Sequence, residues 1–168
     1  MSTKNKLDDI FASELRYLMV VSYFVLGNNA VTNRYIERTY QMPVHAWSAL
    51  FAIVVFPGIR AKEIKHLFPR PQNTISRAAS LLEARGLIRQ QASATDGREK
   101  RLFATPAGEE LLAEIRAVSR KRQDELFEPL DDAERETFFA LARKIASGPK
   151  LLDSEAMPLP FNNRLDST

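Results

Sequence analysis

The 168-residue chain contains no cysteine and only two histidines, His45 and His66. Without thiols it can form no disulfide, no thiolate metal site and no cysteine redox switch, so we expect a reducing compartment, the cytoplasm. Two histidines exclude a histidine-rich metal centre, and we expect neither a metal nor a cofactor. The sequence also lacks a Gly-rich phosphate loop, an HExxH motif and a nucleophile elbow, so we do not expect an enzyme.

Long hydrophobic runs are absent as well. The longest one, over residues 17–26, is interrupted by Ser22 and is shorter than the roughly 18 residues that a membrane-spanning helix requires. We therefore expect no membrane partner and predict that this run forms a buried helix. Nearly every position from 20 to 26 is apolar, so the helix needs cover on several sides, and a second subunit is the expected cover.

The net charge of +3 is unevenly distributed along the chain. Residues 60–101 contain ten basic and four acidic side chains, a net charge of +6, whereas the remainder carries −3. A basic segment of this kind is either a solvated face or a surface that meets a polyanion. The secondary structure predicted for this segment decides between a solvated face and a polyanion-binding surface.

The middle of the chain predicts three helices followed by a β-hairpin. Pro43 suits the first turn of a helix, and Gly86 is typical of a helix C-terminus. Asp96-Gly97 is a hairpin signal. This order predicts a winged helix-turn-helix domain over residues 43–105. The predicted elements are helices from 43, from about 60 to 67 and from 72, and strands over 87–91 and 101–104.

Helical segments flank this domain on both sides. Residues 1–42 have apolar positions at helical spacing, with a weak point at Gly27-Asn28-Asn29 where the helix is expected to kink or break. Thr105-Pro106 predicts the start of further helices over residues 106–148. Residues 149–168 are predicted to form a poorly ordered tail. The predicted fold class is mainly α with a small two-stranded β-wing.

Four short motifs follow one another through this region at spacings that suit a winged helix. They are Asn73-Thr74-Ile75-Ser76-Arg77, Leu82-Glu83-Ala84-Arg85-Gly86-Leu87-Ile88, Asp96-Gly97-Arg98 and Ala104-Thr105-Pro106-Ala107-Gly108. Together they make the chain resemble the MarR family of bacterial transcription regulators, from about residue 23 to residue 145. The chain departs from the family at Pro71, where members often carry Asp or Ser.

The resemblance implies an obligate homodimer whose dimerisation region is built by both chain ends, residues 1–42 and 106–148. It also implies that the winged helix of each subunit binds half of a near-palindromic operator in double-stranded DNA. The expected function is a sequence-specific, ligand-responsive transcription regulator that acts as a repressor. The main alternative is a winged helix that binds protein without recognising DNA sequence.

The third predicted helix carries the candidate base contacts. Asn and Gln can pair bidentately with adenine, Arg can pair with guanine, and short hydroxyl side chains can touch phosphate or a thymine methyl group. Because Ile75, Ala78 and Leu82 direct the other face inward, we favour DNA contact over an ordinary exposed helix. The candidates on this helix are Gln72, Asn73, Thr74, Ser76 and Arg77.

The hairpin and the preceding helix carry further candidate contacts. Arg98 lies at the hairpin tip and is long enough to enter a minor groove. By resemblance, Asp96 braces Arg98. Arg85 has two open interpretations, a DNA contact or the cap of a helix C-terminus. The candidates for phosphate contact are Lys100 and Arg101 on the wing, and Arg60, Lys62 and Lys65 near the second helix.

By resemblance, a small aromatic or phenolic acid is a candidate effector. Such a ligand would weaken operator binding if it preferred a dimer whose recognition helices are wrongly spaced. The alternative, which we favour, is that Tyr23, Tyr35 and Trp47 are core residues and that His45 is an ordinary histidine at a helix start. The candidate lining residues are Arg16, Tyr23, Tyr35, His45 and Trp47.

Overall fold

The computed structural model of the chain describes residues 3–68, 72–92 and 99–152, without the side chains of residues 3–5 and 72. The chain divides into two units, residues 1–122 and 123–168. The described residues are mainly helical with a small antiparallel sheet, which confirms the predicted fold class. The elements are α1 (Thr3–Phe11), α2 (Arg16–Asn28), a π-helical segment (Asn29–Asn33), α3 (Arg34–Tyr40), α4 (Val44–Val55), β1 (Ile59–Arg60), α5 (Ala61–Leu67), α6 (Gln72–Ala84), β2 (Ile88–Ala92), β3 (Lys100–Ala104), α7 (Pro106–Leu126) and α8 (Asp132–Ala146).

The core of the first unit is formed by α3, α4, α5, α6, the sheet and the first half of α7. From α6 it takes Ile75, Ala78 and Leu82, which recur every three or four residues and therefore share one face of the helix. Leu50 on α4 and Leu112 on α7 are buried in the same cluster. This packing leaves the polar face of α6 toward solvent.

The sheet has three strands, not the predicted two. The central strand β3 pairs antiparallel with β1 on one side and with β2 on the other. Ile59 lies opposite Leu102, and Ile88 lies opposite Ala104. Because β1 has only two residues, no alternating pattern could reveal it in the sequence. Arg60, predicted to start the second helix, belongs to β1.

The predicted helix end at Gly86 is confirmed. Gly86 has a φ of +69°, a left-handed conformation that glycine adopts without a steric penalty. The Leu87 N–H donates to the Leu82 carbonyl at 2.9 Å, and the Gly86 N–H donates to the Glu83 carbonyl at 2.9 Å. These two bonds form a Schellman cap, which turns the chain from α6 into β2.

Gly108 lies where α7 passes the backbone at Leu87. A Cβ atom at Gly108 would lie 2.0 Å from the Leu87 carbonyl oxygen. Thr105 caps the helix as predicted, since its hydroxyl accepts a hydrogen bond from the Gly108 N–H at 3.2 Å. The start of α7 is thus held against the end of the α6 cap.

Gly108→Ala is expected to destabilise the chain by about 2 kcal/mol, although alanine has the higher helix propensity. The added Cβ meets a backbone carbonyl, which cannot rotate away as a side chain could. Urea unfolding measures the effect. Gly27→Ala is the matched control, because a Cβ there meets no atom of the chain within 4 Å. Equal losses of stability in the two variants would contradict the close approach.

The N-terminal helices are exposed along most of their length. No residue of α2 is buried, and Leu18, Val21 and Leu26 are 65%, 56% and 65% exposed. The helix predicted to be buried is therefore not covered by its own chain, and its cover by a second subunit stays a prediction. At the predicted weak point the helix does not end but widens into the π-helical segment. We call residues 16–40 the helical arm.

The second unit contains the end of α7 and the helix α8. Asp131 and Glu134 form a capping box at the start of α8, in which each carboxylate accepts the other residue's backbone N–H at 2.9 Å. The rings of Phe127 and Phe138 pack with centroids 5.3 Å apart. Phe139 is 62% exposed, so α8 also carries apolar surface without cover. Within the described residues, no helix is long and apolar enough to span a bilayer.

Candidate nucleic-acid interface

The exposed face of α6 carries the predicted base contacts. Asn73, Ser76 and Arg77 are exposed and Thr74 is half-buried. Gln72 begins the helix, and its side chain lies outside the described part of the structure. Since these positions fall within the first two turns of α6, their side chains can approach one surface together.

Two of the four predicted wing residues lie on β3. Lys100 and Arg101 are exposed, and Arg101 Nη1 donates a hydrogen bond to the Gly58 carbonyl at 3.4 Å. Asp96 and Arg98 lie outside the described residues, as does the predicted hairpin turn. The root of the wing therefore presents two exposed cations.

Arg60 and Lys62, predicted to contact DNA phosphates, are ion-paired with Glu63 and Glu99. Arg60 donates to Glu63 at 2.7 Å and to both carboxylate oxygens of Glu99 at 3.2 Å, while Lys62 Nζ donates to Glu99 at 2.5 Å. We call these four residues the wing-root cluster. A phosphate would have to compete with two carboxylates for these cations. Lys65, the third predicted phosphate contact near this helix, is exposed on α5.

The ion pairs of the wing-root cluster lower the pKa of both carboxyl groups. Hydrogen bonds from the Arg60 side chain, and then from its backbone N–H, lower the pKa of Glu63 from 4.5 to about 2. Lys62, followed by Arg60, lowers the pKa of Glu99. Because the four side chains are partly exposed, solvent screens the energy of these pairs. The cluster holds α5 to the root of the wing.

Glu63→Gln is expected to make folding stability less sensitive to acid. In the wild type, the pKa of Glu63 is lower in the folded chain than in the unfolded chain. Ionised Glu63 therefore stabilises the folded chain above about pH 4.5, and this contribution is lost as the pH falls toward 2. The wild-type unfolding temperature should fall more steeply across this range than that of the variant. Glutamine keeps an oxygen to accept the Arg60 N–H, a bond of 2.9 Å in the wild type. Parallel thermal-unfolding curves across this pH range would contradict the ion pair.

A groove of about 360 Å³ lies where α6 meets the root of the wing. Ser76 and Ser80 line it from α6, Lys62 lines it from α5, and Glu99 and Lys100 line it from the wing. The structure thus brings a predicted base contact and predicted phosphate contacts to one concave surface.

Arg85 contacts a helix C-terminus, one of the two roles that the sequence left open. Its Nη1 donates to the Gln41 carbonyl and its Nη2 donates to the Tyr40 carbonyl, each at 3.1 Å. Both carbonyls lie at the end of α3, so the partner helix is not the one to which Arg85 is attached. Arg89, four residues further on, lies over the ring of Phe103 at 4.6 Å.

Comparison with known proteins adds to this geometry. A model of the MarR family matches residues 40–99, from the end of α3 to the root of the wing. A transcriptional regulatory protein for the hcr operon of Thauera aromatica is 28% identical over 112 residues, which cover 67% of this chain and 68% of that one. The crystal structure of MarR matches with a TM-score of 0.65 at 26% identity, covering 77% of this chain and 94% of MarR. The chain is therefore similar to MarR-family regulators in sequence over this region and in fold.

One MarR-family structure that is similar to this chain was solved with nucleic acid. The regulator from Listeria monocytogenes, in complex with a 26mer DNA, matches with a TM-score of 0.71 at 19% identity, covering 77% of this chain and 85% of that one. This likeness concerns the fold. The curated relatives are named as transcriptional regulators, not as enzymes.

The candidate effector residues lie on three helices, α2, α3 and α4. Arg16 lies over the ring of Tyr17 at 5.0 Å, and Tyr23 packs edge-on against Phe11 at 5.8 Å. These contacts do not bring the candidates together. The interpretation of Tyr23 and Tyr35 as core residues is wrong for the single chain, since they are 50% and 46% exposed.

Trp47 on α4 packs against the core, as predicted. Its indole Nε1 is buried and has no hydrogen-bond partner within the described part of the chain. A buried indole N–H usually finds a partner, so this donor is a feature that a polar ligand group or a water molecule would satisfy. His45 is half-buried in the first turn of the same helix.

Proposed function

We propose that the chain is a homodimeric, sequence-specific DNA-binding transcription regulator that represses from a pseudo-palindromic operator. The observation that carries this proposal is the exposed polar face of α6, which lies within the region matched by the MarR family model. Its apolar face is anchored in the core, so the polar side chains are presented by a rigid support. The Listeria regulator, of the same fold, is bound to DNA.

Base recognition would come from the first turns of α6. Asn73 is suited to pair bidentately with adenine, and Arg77 with the O6 and N7 atoms of guanine. Gln72 is suited to adenine as well. Thr74 and Ser76 would contact phosphate or a thymine methyl group.

The wing and α5 would supply contacts that do not read sequence. Lys65, Lys100 and Arg101 would contact phosphates. Arg98 would enter the minor groove with Asp96 bracing it, as the resemblance implies. Arg60 and Lys62 would join them only by leaving the carboxylates of the wing-root cluster.

A second copy of the chain is the proposed cover for the exposed apolar side chains of the helical arm and of α8. Leu18, Val21 and Val25 are spaced at three and four residues on α2 and are each more than half exposed. A monomeric protein rarely leaves a contiguous apolar surface of this extent in water. We assign dimerisation to residues 1–42 and 106–148 and DNA binding to residues 43–105.

We propose, as the family resemblance implies, that a small aromatic or phenolic acid is a candidate effector that relieves repression. The orphaned Nε1 donor of Trp47 supports a polar ligand group at α4. A ligand that binds more tightly to a dimer with wrongly spaced recognition helices would lower operator affinity by that difference.

Selection of bound genomic fragments by the purified protein tests the proposal. We expect enriched fragments to share a pseudo-palindrome whose half-sites lie about 10 base pairs apart, centre to centre. Recovery of fragments without a shared motif would favour the winged helix as a protein-binding module.

A further inference from the structure

Arg85 joins two parts of the first unit that are far apart in sequence. It follows the last residue of α6, and its guanidinium reaches the Tyr40 and Gln41 carbonyls, 45 and 44 residues earlier. Two parallel hydrogen bonds from one planar group fix an orientation as well as a distance. The contact therefore links the recognition helix to the helical arm in a defined geometry.

The end of α3 is built to receive such a group. α3 ends at Tyr40, and Gln41 has a left-handed φ of +52°. The last carbonyls of a helix have no partner within the helix and carry its negative dipole end, which favours a cation. The Gln41 side chain satisfies a different carbonyl, that of Arg38, at 2.9 Å. Arg85 thus supplies the donors for the final two carbonyls.

Apolar packing alone would constrain the angle between the helical arm and α6 less than packing together with the Arg85 hydrogen bonds. Ile36 on α3 and Met42 after it are fully buried in the core, so the arm is attached whether or not Arg85 is present. Hydrophobic contacts are non-directional, whereas the guanidinium fork is directional. The fork therefore adds a directional constraint on the angle between the arm and α6.

We propose that Arg85 is a positioning residue that fixes the recognition helix relative to the dimer-forming arm and so sets the half-site spacing that the dimer accepts. The inference rests on the proposed function. The other role of Arg85, a phosphate contact, predicts a different result. Loss of a phosphate contact weakens binding to every duplex about equally, whatever the spacer.

The test compares full-length variants on duplexes that carry two selected half-sites, separated by the preferred spacer or by spacers one and two base pairs longer and shorter. Arg85→Met keeps an unbranched, flexible side chain and removes the guanidinium donors. Arg89→Met is the matched control, because it removes the same charge from a residue that does not touch α3. We expect the preference of the wild type for its spacer to fall by about fivefold or more in Arg85→Met and to persist in Arg89→Met.

Two results would overturn the inference alone: an Arg85→Met protein with the wild-type spacer preference, or one whose affinity falls equally for all spacers. If Arg85→Met does not fold by circular dichroism, Arg85→Lys decides, since one ammonium cannot reproduce the planar fork. A reduced preference in Arg85→Lys would support the inference, and an unchanged preference would overturn it. A wild-type protein that shows no spacer preference would overturn the proposed function and this inference with it.

Discussion

Val21→Asp is expected to convert the proposed dimer into monomers and to abolish operator binding. Val21 is 56% exposed in the single chain and lies with Leu18 and Val25 on the face of α2 proposed as the dimer contact. A carboxylate there would be buried without a partner on association, at a cost of about 3 kcal/mol or more, which weakens the dimer more than about 100-fold. Sedimentation velocity across micromolar concentrations measures the change.

Val21→Ala is the matched control for this experiment. Alanine shortens the same side chain without adding a charge, so it should weaken association far less than aspartate and leave DNA binding intact. A Val21→Asp protein that stays dimeric at micromolar concentration would show that this face of α2 is not the dimer contact.

Arg77→Ala should weaken operator binding by about 1 to 3 kcal/mol, the effect of losing one bidentate base contact. Arg77 is exposed on α6, so its removal should leave the unfolding temperature close to that of the wild type. Fluorescence anisotropy at fixed salt, on the selected operator and on a random duplex, measures the loss. The loss should be larger on the operator than on the random duplex.

Arg120→Ala controls for the lost charge, because Arg120 is exposed on α7 and is not a proposed DNA contact. It should leave the ratio of operator to random affinity unchanged. If Arg77→Ala behaves in the same way, Arg77 does not contact bases.

Local rules predicted the parts that position the candidate site. Gly86, followed by an apolar residue, specifies the C-terminus of α6, and Thr105, followed by proline, specifies the N-terminus of α7. Both signals act through hydrogen bonds to near neighbours in sequence. The apolar spacing of α6 was equally local and predicted which of its faces is buried. These signals were sufficient for the winged helix.

Contacts between distant residues could not be predicted in this way. The pairing of Arg60 with Glu99 spans 39 residues and neutralises part of a segment that reads as strongly basic. The same limit applies to Arg85, which contacts the end of α3, and to the short strand β1, which pairs with β3. Both contacts join residues that are far apart in sequence and meet only in the folded chain. Tyr23 and Tyr35 illustrate a further limit, since spacing indicates an apolar face without indicating whether the same chain covers it.

The central claim, a dimer that reads two half-sites on one face of DNA, is tested most directly by inserting about five base pairs between the half-sites of the selected operator. The insertion places the half-sites on opposite faces of the duplex. It leaves each half-site intact, so one subunit can still make all of its base contacts. Affinity for the altered operator should fall to that for a duplex with a single half-site over a series of salt concentrations, while the intact operator keeps its advantage. Equal affinity for the intact and the altered operator would contradict the account.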